Sequence, residues 1–185
     1  MKQAGWIRST YLTRFSQPAQ DRVIYQTLCQ KSVKSVLEIG IAAGVRTGRI
    51  IELALTKVSA GDFRYAGIDL FEARGKGQPC LTLKQAHQML TGLRIAHRLV
   101  PGDPQTALAR SANNLGPVDL VIISADQDPE ATRRAWFYLP RLLHADSLVL
   151  LEERQGTAEP RFRVVKLDEV KTRADAANPA RRQAA

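Results

Sequence analysis

The residues best suited to chemistry are acids and glycines at the ends of apolar runs. They are Glu38, Gly40, Gly44, Asp69, Asp103 and Asp126. Glycine lets the backbone turn sharply and approach a ligand closely, and a following helix offers free N–H groups and a partial positive charge. A carboxylate has two oxygens, so Asp69 can accept hydrogen bonds from both hydroxyls of a ribose. These residues indicate a site of nucleotide size.

Alternating strands and helices would position these residues. The apolar pattern predicts a Rossmann-like, doubly wound α/β fold: a mainly parallel sheet with helices on both faces. Strands are predicted at residues 35–39, 63–69, 97–100, 118–124 and 147–151, with one more at 161–167. Because a single strand follows the fifth, the C-terminal strand region is predicted to be short. Ligands of such sheets bind at the carboxyl ends of strands, where the strand order reverses.

The spacing of the first loop discriminates between cofactors. A dinucleotide-binding loop has glycines at its first, third and sixth positions, whereas this chain has Gly40, Ala42 and Val45 there. The pattern of acid, glycine, small residue and glycine instead resembles motif I of the class I S-adenosylmethionine-dependent methyltransferases. The resemblance implies that Glu38, Gly40, Ala42 and Gly44 line the methionine end of that cofactor. A tight strand-to-helix turn without a ligand is the alternative interpretation.

Two later segments continue the resemblance. Gly67-Ile68-Asp69 is similar to the second methyltransferase motif, which implies that Asp69 binds the ribose; a strand-end aspartate that caps a turn is the alternative. Gly102-Asp103 follows the third strand, where the family places its adenine. Asp103 precedes Pro104 and is equally well explained as a helix cap.

The segment after the fourth strand suggests the catalytic group. Residues 119–126 resemble a segment of small-molecule O-methyltransferases, with Ser124 in place of its first acid and Asp126 as its second. Asp126 is the candidate base for a hydroxyl acceptor, with Asp128 as the second choice. In metal-dependent members the acid at Asp126 binds a divalent cation, but they usually have lysine where this chain has Gln127. Metal dependence therefore stays open.

The predicted function is methyl transfer from S-adenosylmethionine to a small molecule, most simply to an oxygen. One alternative is a non-catalytic or degenerate methyltransferase-fold domain that binds the cofactor, consistent with Ala42, Ser124 and the short C-terminal region. Another is an RNA- or DNA-directed methyltransferase that uses basic termini, which would bind nucleic acid in a salt-sensitive way. A nicotinamide dehydrogenase is disfavoured by Val45.

Charge and composition set the remaining limits. The net charge of +9 comes from the ends, since residues 1–34 have six basic side chains and one acid and residues 161–185 have seven and three. Without a nucleic-acid motif, we interpret these ends as solubilising. Residues 1–34 are predicted to be a helical lead-in, 35–170 the cofactor domain and 171–185 a disordered basic tail. Two unpatterned cysteines and no apolar run of about 20 residues favour a cytoplasmic protein without membrane spans.

Overall fold

The computed structural model describes residues 2–154, 156 and 159–178 and contains one six-stranded sheet. The strands are β1 (Ser35–Ile39), β2 (Arg64–Asp69), β3 (Ala96–Pro101), β4 (Leu120–Ile123), β5 (Leu148–Glu153) and β6 (Arg161–Val165). Their order is β3-β2-β1-β4-β5-β6, with β6 antiparallel to β5 and all other pairs parallel. This confirms the predicted Rossmann-like fold. The order reverses between β1 and β4, so the carboxyl ends of these two strands border the expected ligand crevice.

The described part of the chain also contains seven α-helices. They are α1 (Lys2–Arg14), α2 (Arg22–Gln30), α3 (Val45–Ala54), α4 (Leu83–Gly92), α5 (Pro104–Leu115), α6 (Pro129–Ala135) and α7 (Leu167–Ala177). Side-chain caps define several starts: the side chain of Thr82 accepts from the Gln85 backbone N–H in a capping box before α4, and Asp128 caps α6. Helix α6 ends at Ala135. The chain there forms a 3₁₀ segment, Trp136–Leu142, which accommodates Pro140.

Two apolar layers hold the helices to the sheet. Adjacent residues of β1 point to opposite faces, so Val36 packs with the layer that includes Ile24 of α2 and Ile50 of α3. Leu37 packs with the opposite layer, which includes Leu108 of α5. Because both faces are covered, every residue of β1 and β4 is buried. These central strands provide a rigid base for the loops at their carboxyl ends.

The C-terminal region differs from the predicted tail. The expectation of disorder from residue 171 is wrong as far as residue 177, because α7 continues to Ala177. Val170, Ala174 and Ala177 are buried, and α7 packs against α6 and the 3₁₀ segment. Residues 179–185 of the predicted tail lie outside the described residues. Within the described ranges, every helix is too short or too polar to cross a membrane.

Candidate functional site

A left-handed loop joins β1 to α3. Gly40, Ala42 and Gly44 have φ values of +100°, +51° and +74°. Glycine adopts such values without a steric penalty, whereas Ala42 has a Cβ and does so less readily. The Gly40 N–H donates to the Ile68 carbonyl at 2.9 Å and the Gly44 N–H donates to the Ile41 carbonyl at 3.0 Å. The loop is therefore fastened to β2 and to itself, directly at the start of α3.

Gly40 also lies against the end of β4. A Cβ placed on Gly40 would lie 2.7 Å from the Cβ of Ser124, 2.8 Å from its Oγ and 2.9 Å from Oδ1 of Asp126. Carbon atoms in van der Waals contact are about 3.5–4.0 Å apart, so only glycine fits this position. The absence of a side chain at Gly40 thus brings the first loop beside Asp126, as the strand-end argument predicts.

Asp69 lies at the end of β2 and is 1% exposed. Its Oδ2 accepts from the backbone N–H groups of Ile41 at 2.6 Å and Ala42 at 2.9 Å, and its Oδ1 accepts from Phe71 at 2.8 Å. Asp69 therefore contacts the glycine loop directly and shapes it. These bonds confirm that Asp69 caps a turn. Its binding of a ribose stays a prediction.

Arg74 is the residue that sequence reasoning missed. Its Nε and Nη2 donate to Oδ1 and Oδ2 of Asp69, both at 2.6 Å, and its Nη1 donates to Oδ2 of Asp126 at 2.6 Å. The Arg74 side chain is 4% exposed, whereas that of Asp126 is 42% exposed. Burial favours a raised pKa for Asp69, but the bonds from Arg74 and from the Ala42 and Phe71 backbones outweigh it and hold the pKa below its usual value.

A second, partly buried arginine also supports the loop. Glu38 is 0% exposed; its Oε1 accepts from Nε of Arg46 at 2.7 Å, and its Oε2 accepts from the hydroxyls of Thr47 and Tyr65, each at 2.6 Å. Nη2 of Arg46 also donates to the Gly40 carbonyl at 2.5 Å and to Ser124 Oγ. Glu38 thus lies beneath the loop, where it holds Arg46.

Asp21 completes this inner cluster. Its Oδ1 lies 3.8 Å from Nη1 of Arg46. Burial raises the pKa of Asp21 to about 6, although the positive charge of Arg46 acts in the opposite direction. The inner cluster of Glu38, Arg46 and Asp21 therefore contains one carboxyl group whose pKa lies above its ordinary value.

Asp103 starts α5 as a helix cap. Its Oδ1 accepts from the Thr106 backbone N–H at 2.9 Å, which confirms the capping interpretation. Burial acts to raise the pKa of Asp103, but the bonds from Thr106 dominate and lower it. The preceding Gly102 N–H donates to the Asp69 carbonyl at 2.9 Å, so the end of β3 adjoins the same crevice. A contact between Asp103 and adenine stays a prediction.

The other acids near β4 and β5 are engaged separately. Asp128 accepts from the Ala131 N–H at 2.6 Å as the cap of α6, and Glu152 accepts from the Ala125 N–H at 3.0 Å. Glu153 pairs with Arg163. Among the side chains that the structure describes, no group of three or more His, Cys, Asp or Glu residues could hold a metal ion. The structure thus does not bring these acids together into one cluster.

A cavity of about 470 Å³ opens at the carboxyl ends of β4 and β5. Its walls include Ser124, Gln127, Trp136 and Leu151. Thr132, also in the wall, has a buried hydroxyl oxygen without a hydrogen-bond partner among the described residues. The cavity is therefore lined by both polar and apolar side chains, and it adjoins the Asp126 segment.

Solved structures of methyltransferases have a similar fold. An O-methyltransferase family protein from Burkholderia thailandensis superposes with a TM-score of 0.53 and 14% identity over 84% of this chain. The O-methyltransferase TomG from Streptomyces achromogenes, solved in complex with S-adenosylmethionine, gives 0.54 and 14% over 80%. A TehB-like S-adenosylmethionine-dependent methyltransferase from Corynebacterium glutamicum gives 0.52 and 13% over 95%.

The chain has the class I methyltransferase fold. It spans 42% of the length of the Burkholderia protein, 64% of TomG and 81% of the Corynebacterium protein. No protein-family model matches the sequence, and no curated protein matches it in sequence. Identities of 13–14% reflect a shared fold, so the activity has to be argued from the residues of the site.

Proposed function

We propose that the protein is an S-adenosylmethionine-dependent methyltransferase. The observation that carries the proposal is the left-handed Gly40–Gly44 loop, bonded to the Asp69 carboxylate and packed against the end of β4 at the point where the strand order reverses. Open α/β sheets bind nucleotide-like ligands at this point. The complex of TomG with S-adenosylmethionine, on the same fold, supports this choice of cofactor.

Each candidate residue has a separate task in this proposal. The loop residues Gly40, Ala42 and Gly44 would approach the methionine part, since two of them lack a side chain and the third has only a methyl group. Asp69 would accept hydrogen bonds from the ribose hydroxyls. Asp103 would lie near the adenine. Glu38 would act indirectly, because its oxygens hold Arg46 and Arg46 holds the Gly40 carbonyl.

The protein's chemical contribution would be alignment and proton removal. The cofactor supplies a methyl group already activated by its sulfonium, so catalysis mainly requires an acceptor held in line with it. A hydroxyl acceptor must lose its proton, and Asp126 is the exposed carboxylate beside the loop. The neighbouring cavity of about 470 Å³ suits a small molecule. The O-methyltransferase names of two neighbours favour oxygen as the methylated atom.

The test is transfer of a labelled methyl group to a panel of small hydroxyl compounds. The wild type should methylate at least one class of acceptor, and Asp126→Asn should lower the rate about 10²–10⁴-fold, as expected for loss of a general base. Asp128→Asn is the matched control, because asparagine caps a helix about as well as aspartate. Equal losses in the two variants would contradict the assignment of Asp126.

A non-catalytic domain is the second candidate function, and one observation favours it. The carboxylates of both Glu38 and Asp69 already accept hydrogen bonds from protein donors, which include Arg46 and Arg74. A domain that had lost catalysis could keep these internal ion pairs at no functional cost. Binding of the cofactor without transfer to any acceptor of the panel would support this candidate.

A further inference from the structure

The side chain of Arg74 is buried, although Arg74 belongs to an exposed segment. Residues 72, 73 and 75–80 are exposed, yet the Arg74 side chain is 4% exposed and makes three hydrogen bonds of 2.6 Å to two acids. An arginine in a polar surface loop normally keeps its charged group in water. Its inward position therefore reflects the two carboxylates that it joins, Asp69 and Asp126.

The rest of the segment is fastened over the glycine loop. The Leu81 N–H donates to the Ala42 carbonyl at 2.9 Å. The Leu81 side chain packs onto Gly44, since a Cβ on that glycine would lie 2.6 Å from Cδ1 of Leu81. The side chain of Glu72, near the start of the segment, accepts from the backbone N–H of Leu83, just after its end, at 2.8 Å. Residues 70–82, which we call the covering segment, thus lie across the proposed cofactor site.

The hydrogen bonds that Asp69 accepts indicate the role of the covering segment. A carboxylate has about four lone-pair sites. Asp69 accepts five bonds: three from the Ile41, Ala42 and Phe71 backbones and two from Arg74. The Ile41 and Ala42 bonds belong to the glycine loop, and the Phe71 bond belongs to the turn directly after β2. Only the two arginine bonds therefore come from a side chain that can move away. A ribose diol, which also offers two donors, needs the positions that Arg74 occupies.

We propose that Arg74 and the covering segment form a gate that closes the cofactor site until ribose hydroxyls displace the guanidinium from Asp69. The inference rests on the proposed function. The same movement would uncover Oδ2 of Asp126, to which Nη1 of Arg74 donates. Cofactor binding would thereby release the carboxylate that receives the acceptor's proton, so the base becomes available only when the methyl donor is in place.

The experiment titrates the whole chain with S-adenosylhomocysteine by calorimetry, using wild type, Arg74→Gln and Lys76→Gln. Lys76 is the matched control, because it is exposed in the same segment and its substitution removes the same charge. Apparent affinity falls by the fraction of molecules that are open. If the closed form predominates about tenfold, Arg74→Gln should bind about tenfold more tightly than wild type, while Lys76→Gln should match wild type.

A second readout tests the closure without any ligand. Trypsin should cleave after Lys76 several-fold faster in Arg74→Gln than in wild type, since the substitution frees the covering segment. Binding of S-adenosylhomocysteine by Arg74→Gln that is weaker than or equal to that of the wild type, or an unchanged rate of cleavage, would overturn the gate. If Arg74→Gln does not fold, Arg74→Lys replaces it, because lysine cannot join both carboxylates in the same way. If cleavage accelerates but neither the wild type nor any variant binds S-adenosylhomocysteine, the proposed function fails and the gate fails with it. The faster cleavage would then show only that Arg74 anchors the covering segment.

Discussion

Substitution of Gly40 by alanine tests the geometry that brings the loop to β4. The new Cβ would lie 2.7 Å from Ser124 Cβ, at a backbone φ of +100°. Backbone strain at such a φ costs about 1–3 kcal/mol, and overpacking in a tight site costs a further 1–3 kcal/mol. We expect Gly40→Ala to lower the free energy of unfolding by about 3 kcal/mol, measured by urea denaturation followed by circular dichroism.

A double-mutant cycle separates the two contributions. Ser124→Gly removes the side-chain atoms that the new Cβ would meet, so the double variant should lose about 1–2 kcal/mol less than the sum of the single variants. Ala42→Gly is the control within the same loop: it relieves a φ of +51° and should change stability by no more than about 1 kcal/mol. Additive effects of Gly40→Ala and Ser124→Gly would refute the close approach.

Two further predictions concern the inner cluster. Because the folded-state pKa of Asp21, about 6, lies above its ordinary value, the folded state favours the protonated form. The stabilisation contributed by Asp21 should therefore fall as pH rises from about 4 to about 6. The free energy of unfolding of the wild type, relative to that of Asp21→Asn, should decrease over this range in denaturation curves measured between about pH 4 and 7. Arg46→Met leaves Glu38 buried without its cation and should cost about 3–5 kcal/mol, whereas pairing it with Glu38→Gln should restore part of that loss in the same assay. A difference in stability between wild type and Asp21→Asn that does not change with pH, or a double variant no more stable than Arg46→Met, would contradict these assignments.

The fold could be predicted because its signals are local. The fully buried strands β1 and β4 appear as apolar runs, and Asp103 and Asp128 precede prolines as helix caps usually do. The sequence also placed Asp69 and the glycine loop at neighbouring strand ends, and their hydrogen bonds join residues 27 and 28 positions apart. Parallel topology guarantees such proximity, since the carboxyl ends of the strands share one edge of the sheet.

The arginine contacts could not be predicted, because they depend on how loops fold over that edge. Arg74 joins acids 5 and 52 positions away, and no periodicity marks an arginine in a polar, glycine-containing segment as buried. Glu38 was expected to face the cofactor because its motif resembles a binding motif. The motif does not reveal that Arg46, on α3, is at the right distance to donate a hydrogen bond to the Glu38 carboxylate. Helix α7 was not predicted, for a related reason: its alanine-rich end is stabilised by packing of Ala174 and Ala177 rather than by a strong local pattern.

The proposed cofactor site is tested most directly by a calorimetric titration of the purified chain with S-adenosylhomocysteine, with NAD as the control ligand. We expect micromolar binding of S-adenosylhomocysteine, no binding of NAD, and loss of binding in a folded Asp69→Asn variant. Asp62→Asn, the same change at an exposed turn, should bind as the wild type does. A folded wild-type protein that does not bind S-adenosylhomocysteine, or an Asp69→Asn variant that binds it unchanged, would contradict the proposed cofactor site.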